Sequence, residues 1–184
     1  MIPPFKMRQA VRLLRRGGVL AYPTEAVYGL GCDPLNAEAV EQLLALKRRP
    51  VRKGLILVAS DLRQLRPYLG LKATEIPGQV LASWPGPHTW LLPSDPLVPW
   101  WITGGRPKIA VRVTAHPVAA ELCRRFGGAL ISTSANVTGR PPARNPLQVR
   151  LRCPGSELIL HGATGQLHEP TPIRDALTGE TVRP

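Results

Sequence analysis

The sequence is poor in acid, in aromatic rings and in cysteine, and none of its apolar runs is long. Asp and Glu number 12 against 24 Lys and Arg in 184 residues, giving a formal net charge of +12. An excess of that size concentrates polyanions such as nucleotides or RNA, but it says nothing about fold, and an arginine-rich genome would produce it too. Aromatic residues make up 5% of the chain, with no aromatic-glycine run of the kind that stacks bases. RNA contact is therefore expected to be electrostatic. Cys32, Cys123 and Cys153 are odd in number, far apart and in no CxxC arrangement. That excludes a disulfide framework and a cysteine zinc site, and leaves reduced packing residues. His88, His116, His161 and His168 are isolated from one another and from cysteine. No nucleophile-base pair is evident, so surface or capping roles are expected for them and a covalent intermediate is not. No run approaches the roughly 20 apolar residues of a membrane helix, and Met1-Ile2-Pro3-Pro4-Phe5-Lys6 lacks a signal-peptide core. The expected location is the cytoplasm.

The remaining composition, 43% hydrophobic, suits one globular domain over residues 1–184. Met7, Ala10, Val11 and Leu14 recur at helical spacing, with Gly17-Gly18 ending that helix. A strand follows at Val19–Tyr22. Ala37–Arg48 repeats the helical pattern, with Asn36 as N-cap and Pro50 as stop. Leu55–Ala59 reads as a buried strand, Asp61 opens a short helix, and Ala73–Ser83 is loosely helical. Strands are expected at Thr89–Leu92, Ile109–Val113 and Ala129–Ile131, and a helix at Pro117–Phe126. After Asn136 the chain is rich in turns, with late strands returning to the sheet. Helix and strand alternate, which predicts an α/β fold with a twisted sheet of mixed direction.

Three runs carry most of the functional information. Lys47-Arg48-Arg49-Pro50 puts an ammonium and a guanidinium two positions apart just before a buried strand. Ser132-Thr133-Ser134-Ala135-Asn136 follows another strand with hydroxyls and an amide. Cations of the first kind hold phosphate oxygens, and neutral donors of the second hold a small polar substrate. The third run, Ala21-Tyr22-Pro23-Thr24-Glu25-Ala26-Val27-Tyr28-Gly29-Leu30-Gly31-Cys32-Asp33, leads from a strand into a glycine-punctuated turn. In this order and spacing, joined by Trp84–Trp90, Ala110–Val113 and Ile173–Gly179, they resemble the YrdC/Sua5 family from about Gly17 to Arg183.

That resemblance implies a YrdC/RibB-like open α/β fold with a concave basic cavity. It also implies an ATP-dependent synthesis of L-threonylcarbamoyl-AMP from L-threonine, bicarbonate and ATP, with release of pyrophosphate. The product is the activated donor for N6-threonylcarbamoylation of adenosine 37 in tRNA, received by the proteins of the transferase complex. ATP is a substrate here, Mg2+ is expected with it, and the metal ligands are unknown. By motif, Lys47 and Arg49 match the family's KxR, and Lys53, Ser134, Asn136 and Arg183 complete the nucleotide set. Thr24, Arg112, Ser132 and Thr171 match the amino-acid set, with Arg112 binding the carboxylate. Ala26 and Thr171 depart from the commoner residues at their positions. Arg48 and Arg52 are expected to face solvent. The stiff turn Pro85-Gly86-Pro87 could shape the cavity floor. An alternative reading, motivated by the charge, is a non-catalytic RNA-binding or ribosome-maturation factor.

Overall fold

A computed structural model of the chain describes residues 2–167, 169 and 171–183, the side chain of Arg183 excepted. The elements are α1 (Pro4–Arg15), β1 (Leu20–Pro23), β2 (Tyr28–Gly31), α2 (Ala37–Lys47), β3 (Ile56–Ala59), α3 (Leu62–Leu65) and α4 (Gly78–Ala82). They continue with β4 (Thr89–Pro93), α5 (Trp100–Thr103), β5 (Lys108–Val113), α6 (Pro117–Phe126) and β6 (Leu130–Ser134). The last are α7 (Pro146–Arg152), β7 (Leu158–Ile159), β8 (Ile173–Asp175) and β9 (Thr181–Arg183). The strands form one open sheet in the order β7-β1-β2-β6-β3-β5-β4-β8-β9. Three pairings, β1/β7, β3/β5 and β4/β8, are parallel and the rest antiparallel. The mixed α/β sheet expected from the sequence is therefore present.

Period-two alternation divides the strands between two cores. Ala21, Leu57, Val111 and Ile131 face the larger core with Val40 and Leu43 of α2. Leu20, Tyr22, Val58 and Leu130 face the other, where Met7, Ala10, Val11 and Leu14 of α1 meet Ala119, Leu122 and Cys123 of α6. The α1 spacing read from the sequence is thus its buried stripe. Ile56 pairs with both Ala110 and Ser132, and Val58 with both Arg112 and Leu130. Ile56, Ala110, Ser132 and Arg112 therefore share the face that α1 and α6 cover at Val58 and Leu130. Beyond those two helices this face is open, and the cavity lies there.

Some elements differ from expectation. The glycine-punctuated turn contains β2, because Tyr28-Gly29-Leu30-Gly31 pairs with β1 and β6. Glycine is needed in this strand: a Cβ on Gly31 would stand 2.7 Å from the Ile131 carbonyl oxygen and from the Tyr22 ring. Ser132, Thr133 and Ser134 belong to β6 itself rather than to a turn after it. Helices α5 and α7 were not expected, and α7 is capped by the Asn145 side chain accepting from the Gln148 N–H. The stretch Ala73–Ser83 divides into a 3-10 turn and the five-residue α4. The three cysteines are buried thiols. Pro85, Gly86 and Pro87 are not among the residues that line the cavity.

Candidate active site

The cavity has a volume of about 620 Å³, within the usual range for a small-molecule site. Thr24, Arg49, Lys53, Arg112, Ser132, Ser134 and Thr171, predicted from scattered runs, all line it. Its walls also carry Arg106 and Lys108, and no Asp or Glu is among the lining residues.

Arg112 is fixed at the inner end. Its strand residues alternate faces, so Lys108, Ala110 and Arg112 project toward the cavity in sequence along β5. The guanidinium is 5% exposed; Nη1 donates to Thr171 Oγ1 at 2.6 Å, and Nη2 stands 3.4 Å from Glu25 Oε2. Thr171 Oγ1 in turn lies 3.3 Å from Thr89 Oγ1. Glu25 Oε1 accepts from Thr114 Oγ1 at 2.5 Å and from the Ala115 N–H at 3.2 Å. Burial pushes the Glu25 carboxyl up. The Arg112 guanidinium and the Thr114 hydroxyl outweigh that and hold it below the usual glutamate value. The acid that accompanies Arg112 is thus Glu25. Asp175 pairs with Lys108 instead.

The segment that follows β7 is laced over this end. Gly165 N–H donates to Thr24 O at 2.9 Å and Leu167 N–H to Glu25 O at 3.3 Å. Tyr28 Oη donates to Gly162 O at 2.6 Å. His116, expected as a surface or capping residue, sits at the N-cap of α6 but is 7% exposed, with Nε2 3.1 Å from Ala163 O. A carbonyl only accepts, so Nε2 carries the proton. Burial lowers the His116 pKa against the opposing pull of that carbonyl, which keeps the ring neutral at neutral pH. His168 lies outside the described residues.

The two KxR cations separate. Arg49 lines the cavity, where Nη2 donates to Gly54 O at 2.9 Å. Lys47 does not line it: the side chain is 2% exposed, and Nζ donates to Ser134 O, to Asn136 O at 2.9 Å and to Asn136 Oδ1 at 3.2 Å. Burial lowers the ammonium to about 8, so it remains charged at neutral pH, with three hydrogens for three oxygens. In the reverse direction, Thr138 N–H and Oγ1 both donate to Lys47 O, at 2.8 and 2.9 Å. The end of α2 and the loop after β6 are thereby stitched together. Asn136 also lies behind the cavity wall. Its Oδ1 accepts from Ser134 Oγ at 2.6 Å, and Nδ2 donates to Val137 O and Arg140 O at 3.0 and 2.6 Å. Between Lys47 and Arg49, Arg48 takes the left-handed conformation at φ 47° and is exposed, as is Arg52. Arg48 N–H bonds to Ala45 O and Arg49 N–H to Leu44 O, the paired bonds of a Schellman ending. That sharp turn sends residue 47 inward and residue 49 to the cavity. The backbone of Arg183 ends β9, while its side chain, expected to close on the nucleotide, is outside the described residues.

Comparison with known proteins bears on this cavity. The family model Sua5_yciO_yrdC, described as "Telomere recombination", matches residues 12–184. The chain belongs to this family. It is similar to a threonylcarbamoyl-AMP synthase of Alkalilimnicola ehrlichii, 59% identical over 185 residues, covering 98% of this chain and 96% of the relative. A threonylcarbamoyl-AMP synthase of Halorhodospira halophila is 56% identical over 182 residues, covering 98% of this chain and 95% of the relative. Among solved structures, P. abyssi Sua5 complexed with L-threonine superposes over 98% of this chain with a TM-score of 0.89 at 32% identity. The present chain spans 54% of that Sua5.

In this Sua5–YciO–YrdC chain, sequence reasoning missed Glu25, Arg106 and Lys108. Glu25 meets Arg112 only through a long-range contact that its own motif does not encode. The others were legible as a period-two cationic series, Arg106, Lys108 and Arg112, running into and along β5.

Proposed function

We propose that the chain is an ATP-dependent L-threonylcarbamoyl-AMP synthase, supplying the activated donor for the N6-threonylcarbamoyl modification of tRNA. The observation that carries this is the polarity of the cavity. At its inner end a guanidinium held by Glu25 is joined by three hydroxyls, of Thr24, Ser132 and Thr171. Toward solvent, Arg49 and Lys53 approach beside the Ser134 hydroxyl. An amino acid with a carboxylate and a hydroxyl suits the first, and a triphosphate suits the second.

In this reading Arg112 binds the carboxylate of L-threonine, and the hydroxyls of Thr24, Ser132 and Thr171 surround its side chain and amino group. Condensation of the amine with bicarbonate gives the N-carboxylate and water. One oxygen of that carbamate attacks the α-phosphorus of ATP. A phosphorus–oxygen bond forms to the carbamate, the bond to the β-phosphate oxygen breaks, and pyrophosphate leaves with its electron pair. Arg49 and Lys53 neutralise the departing charge, which is the main service a protein renders to such a transfer. Lys47 and Asn136 serve the nucleotide indirectly, by fixing the loop that presents Ser134. Arg183 is retained as a nucleotide contact by motif. The described residues do not fit a protein-held Mg2+ ion, since no group of three His, Cys, Asp or Glu converges and the cavity lining offers no carboxylate. The roles of Arg112, Arg49 and Lys53 therefore require no protein ligand to a metal.

Relatives named threonylcarbamoyl-AMP synthase cover the chain nearly end to end, and the superposing Sua5 was solved with L-threonine, both in support of this reading. The test is pyrophosphate release by the purified chain. It is expected only when ATP, L-threonine and bicarbonate are all present, in step with adenylate formation. Release that ignores either threonine or bicarbonate would overturn the assignment. Delivery of the product to a tRNA-modifying transferase is part of the same proposal.

A further inference from the structure

The cations of the cavity are not equivalent. Arg112, 5% exposed, is offset by Glu25, and Lys108 by Asp175. Lys53 and Arg106 are exposed and have no salt bridge among the described residues. Positive charge is thus compensated along β5 and left uncompensated at the mouth. A monocarboxylate needs only the first arrangement, whereas a polyphosphate needs the second.

The mouth is also built to hold these cations in place. The 3-10 turn Val51–Lys53 and helix α5 meet through two glycines with positive φ, Gly54 at 64° and Gly104 at 68°. A Cβ on Gly104 would stand 2.7 Å from Arg52 O and 2.8 Å from Gly54 N; one on Gly54 would stand 3.0 Å from Thr103 O. Leu55 N–H donates across the junction to Ile102 O at 2.8 Å. Lys53 immediately precedes Gly54, Arg49 donates to Gly54 O at 2.9 Å, and Arg106 leaves the junction two residues beyond Gly104. All three side chains line the same cavity.

We propose that Arg106 is a phosphate-binding residue which, with Lys53 and Arg49 on the Gly54–Gly104 junction, forms a polyphosphate anchor at the mouth of the cavity. It grips the β- and γ-phosphates of the nucleotide and is the last contact of pyrophosphate as it leaves. The assignment rests on the proposed function for the identity of the nucleotide, but not for the affinity for phosphate.

The experiment titrates the full chain with inorganic pyrophosphate by calorimetry, and in parallel measures KM for ATP and for L-threonine. Arg106→Ala is expected to weaken pyrophosphate binding and raise the ATP KM by roughly five- to tenfold, the effect of one charge-assisted contact. The threonine KM should stay within about twofold of wild type, because uniform binding is lost only at the phosphate end. Arg106→Lys should recover part of the loss, since the charge remains and the planar fork does not. Arg150→Ala, on the exposed face of α7, should change neither quantity. Unchanged pyrophosphate affinity in Arg106→Ala overturns the anchor while adenylate synthesis keeps the proposed function. Weakened pyrophosphate binding in a chain that makes no adenylate does the reverse. Loss of tRNA affinity alone would assign Arg106 to RNA and also overturn the anchor.

Discussion

Glu25 is 8% exposed beside Arg112 at 5%, and each makes the other's charge tolerable. Desolvation alone would raise the carboxyl's pKa; the guanidinium and the Thr114 hydroxyl bring it below its ordinary value. A carboxyl depressed in the folded state binds fewer protons there than in the unfolded chain. Its stabilising contribution is complete above the unfolded value and disappears as pH falls through the folded one. Glu25→Gln keeps the shape, removes the charge and leaves the guanidinium buried without its counterion. It is expected to cost about 3 kcal/mol at neutral pH. In denaturant titrations the gap between wild type and variant should close as the pH falls through the depressed folded-state value, where wild-type Glu25 also becomes neutral. An equal gap above and below that value would mean that Glu25 is not ionised. Two acids, Asp175 and Glu25, pair with cations of β5, and only Glu25 goes to Arg112. Register explains the outcome: Asp175 and Ala110 both pair with Leu91, so Asp175 stands level with Ala110, from which it reaches Lys108. Glu25 reaches Arg112 from the turn after β1, a contact between residues 87 positions apart that no local pattern records.

At the scale of elements, the C-terminus of α2 and the loop after β6 form one unit, and Lys47 is its centre. A motif places Lys47 and Arg49 together at two-residue spacing, but it does not say that the chain reverses at Arg48 between them. Lys47→Met retains the aliphatic stem and removes the donor to three oxygens. A loss of about 2 to 4 kcal/mol in stability is expected, along with reduced adenylate synthesis, because Ser134 then stands on a loosened loop. Arg49→Met should lose activity to a comparable degree with a nearly unchanged unfolding midpoint. If Lys47→Met unfolds at the wild-type midpoint while losing activity, its ammonium acts on the substrate and the loop role is wrong. Other elements were legible in proportion to their locality. Helix α6 begins at Pro117 and ends before Gly127 as its punctuation requires, and Asn36 caps α2 by accepting from Ala39 N–H at 2.9 Å. Strand β2 was hidden by Gly29 and Gly31; at Gly31 the Ile131 carbonyl and the Tyr22 ring leave no room for a side chain, a demand of tertiary structure that locally mimics a turn.

For the whole molecule, the net charge of +12 exceeds what the cavity uses, since Arg49, Lys53, Arg106, Lys108 and Arg112 account for five of the 24 cations. Arg8, Arg12, Arg15 and Arg16 stand exposed on and just after α1, on the side away from its buried stripe, beside Arg124 and Arg125 of α6. Arg124 and Arg125 share Glu121, while the α1 arginines have no salt bridge among the described residues. A polyanion attracted to such a face is held by counterion release, without base recognition. The affinity of the chain for tRNA should therefore fall linearly on a log-log plot against salt, with a slope of about −3 to −4 if some four phosphates are neutralised. Replacing the four α1 arginines with Gln should flatten that slope by most of its value and leave pyrophosphate release at the wild-type rate. Unrelated RNA of the same length should bind as well as tRNA. A slope near zero, or affinity confined to tRNAs that read codons beginning with A, would replace this electrostatic account with specific recognition. Adenylate synthesis should proceed at full rate without RNA, because none of the residues lining the cavity belongs to α1 or α6.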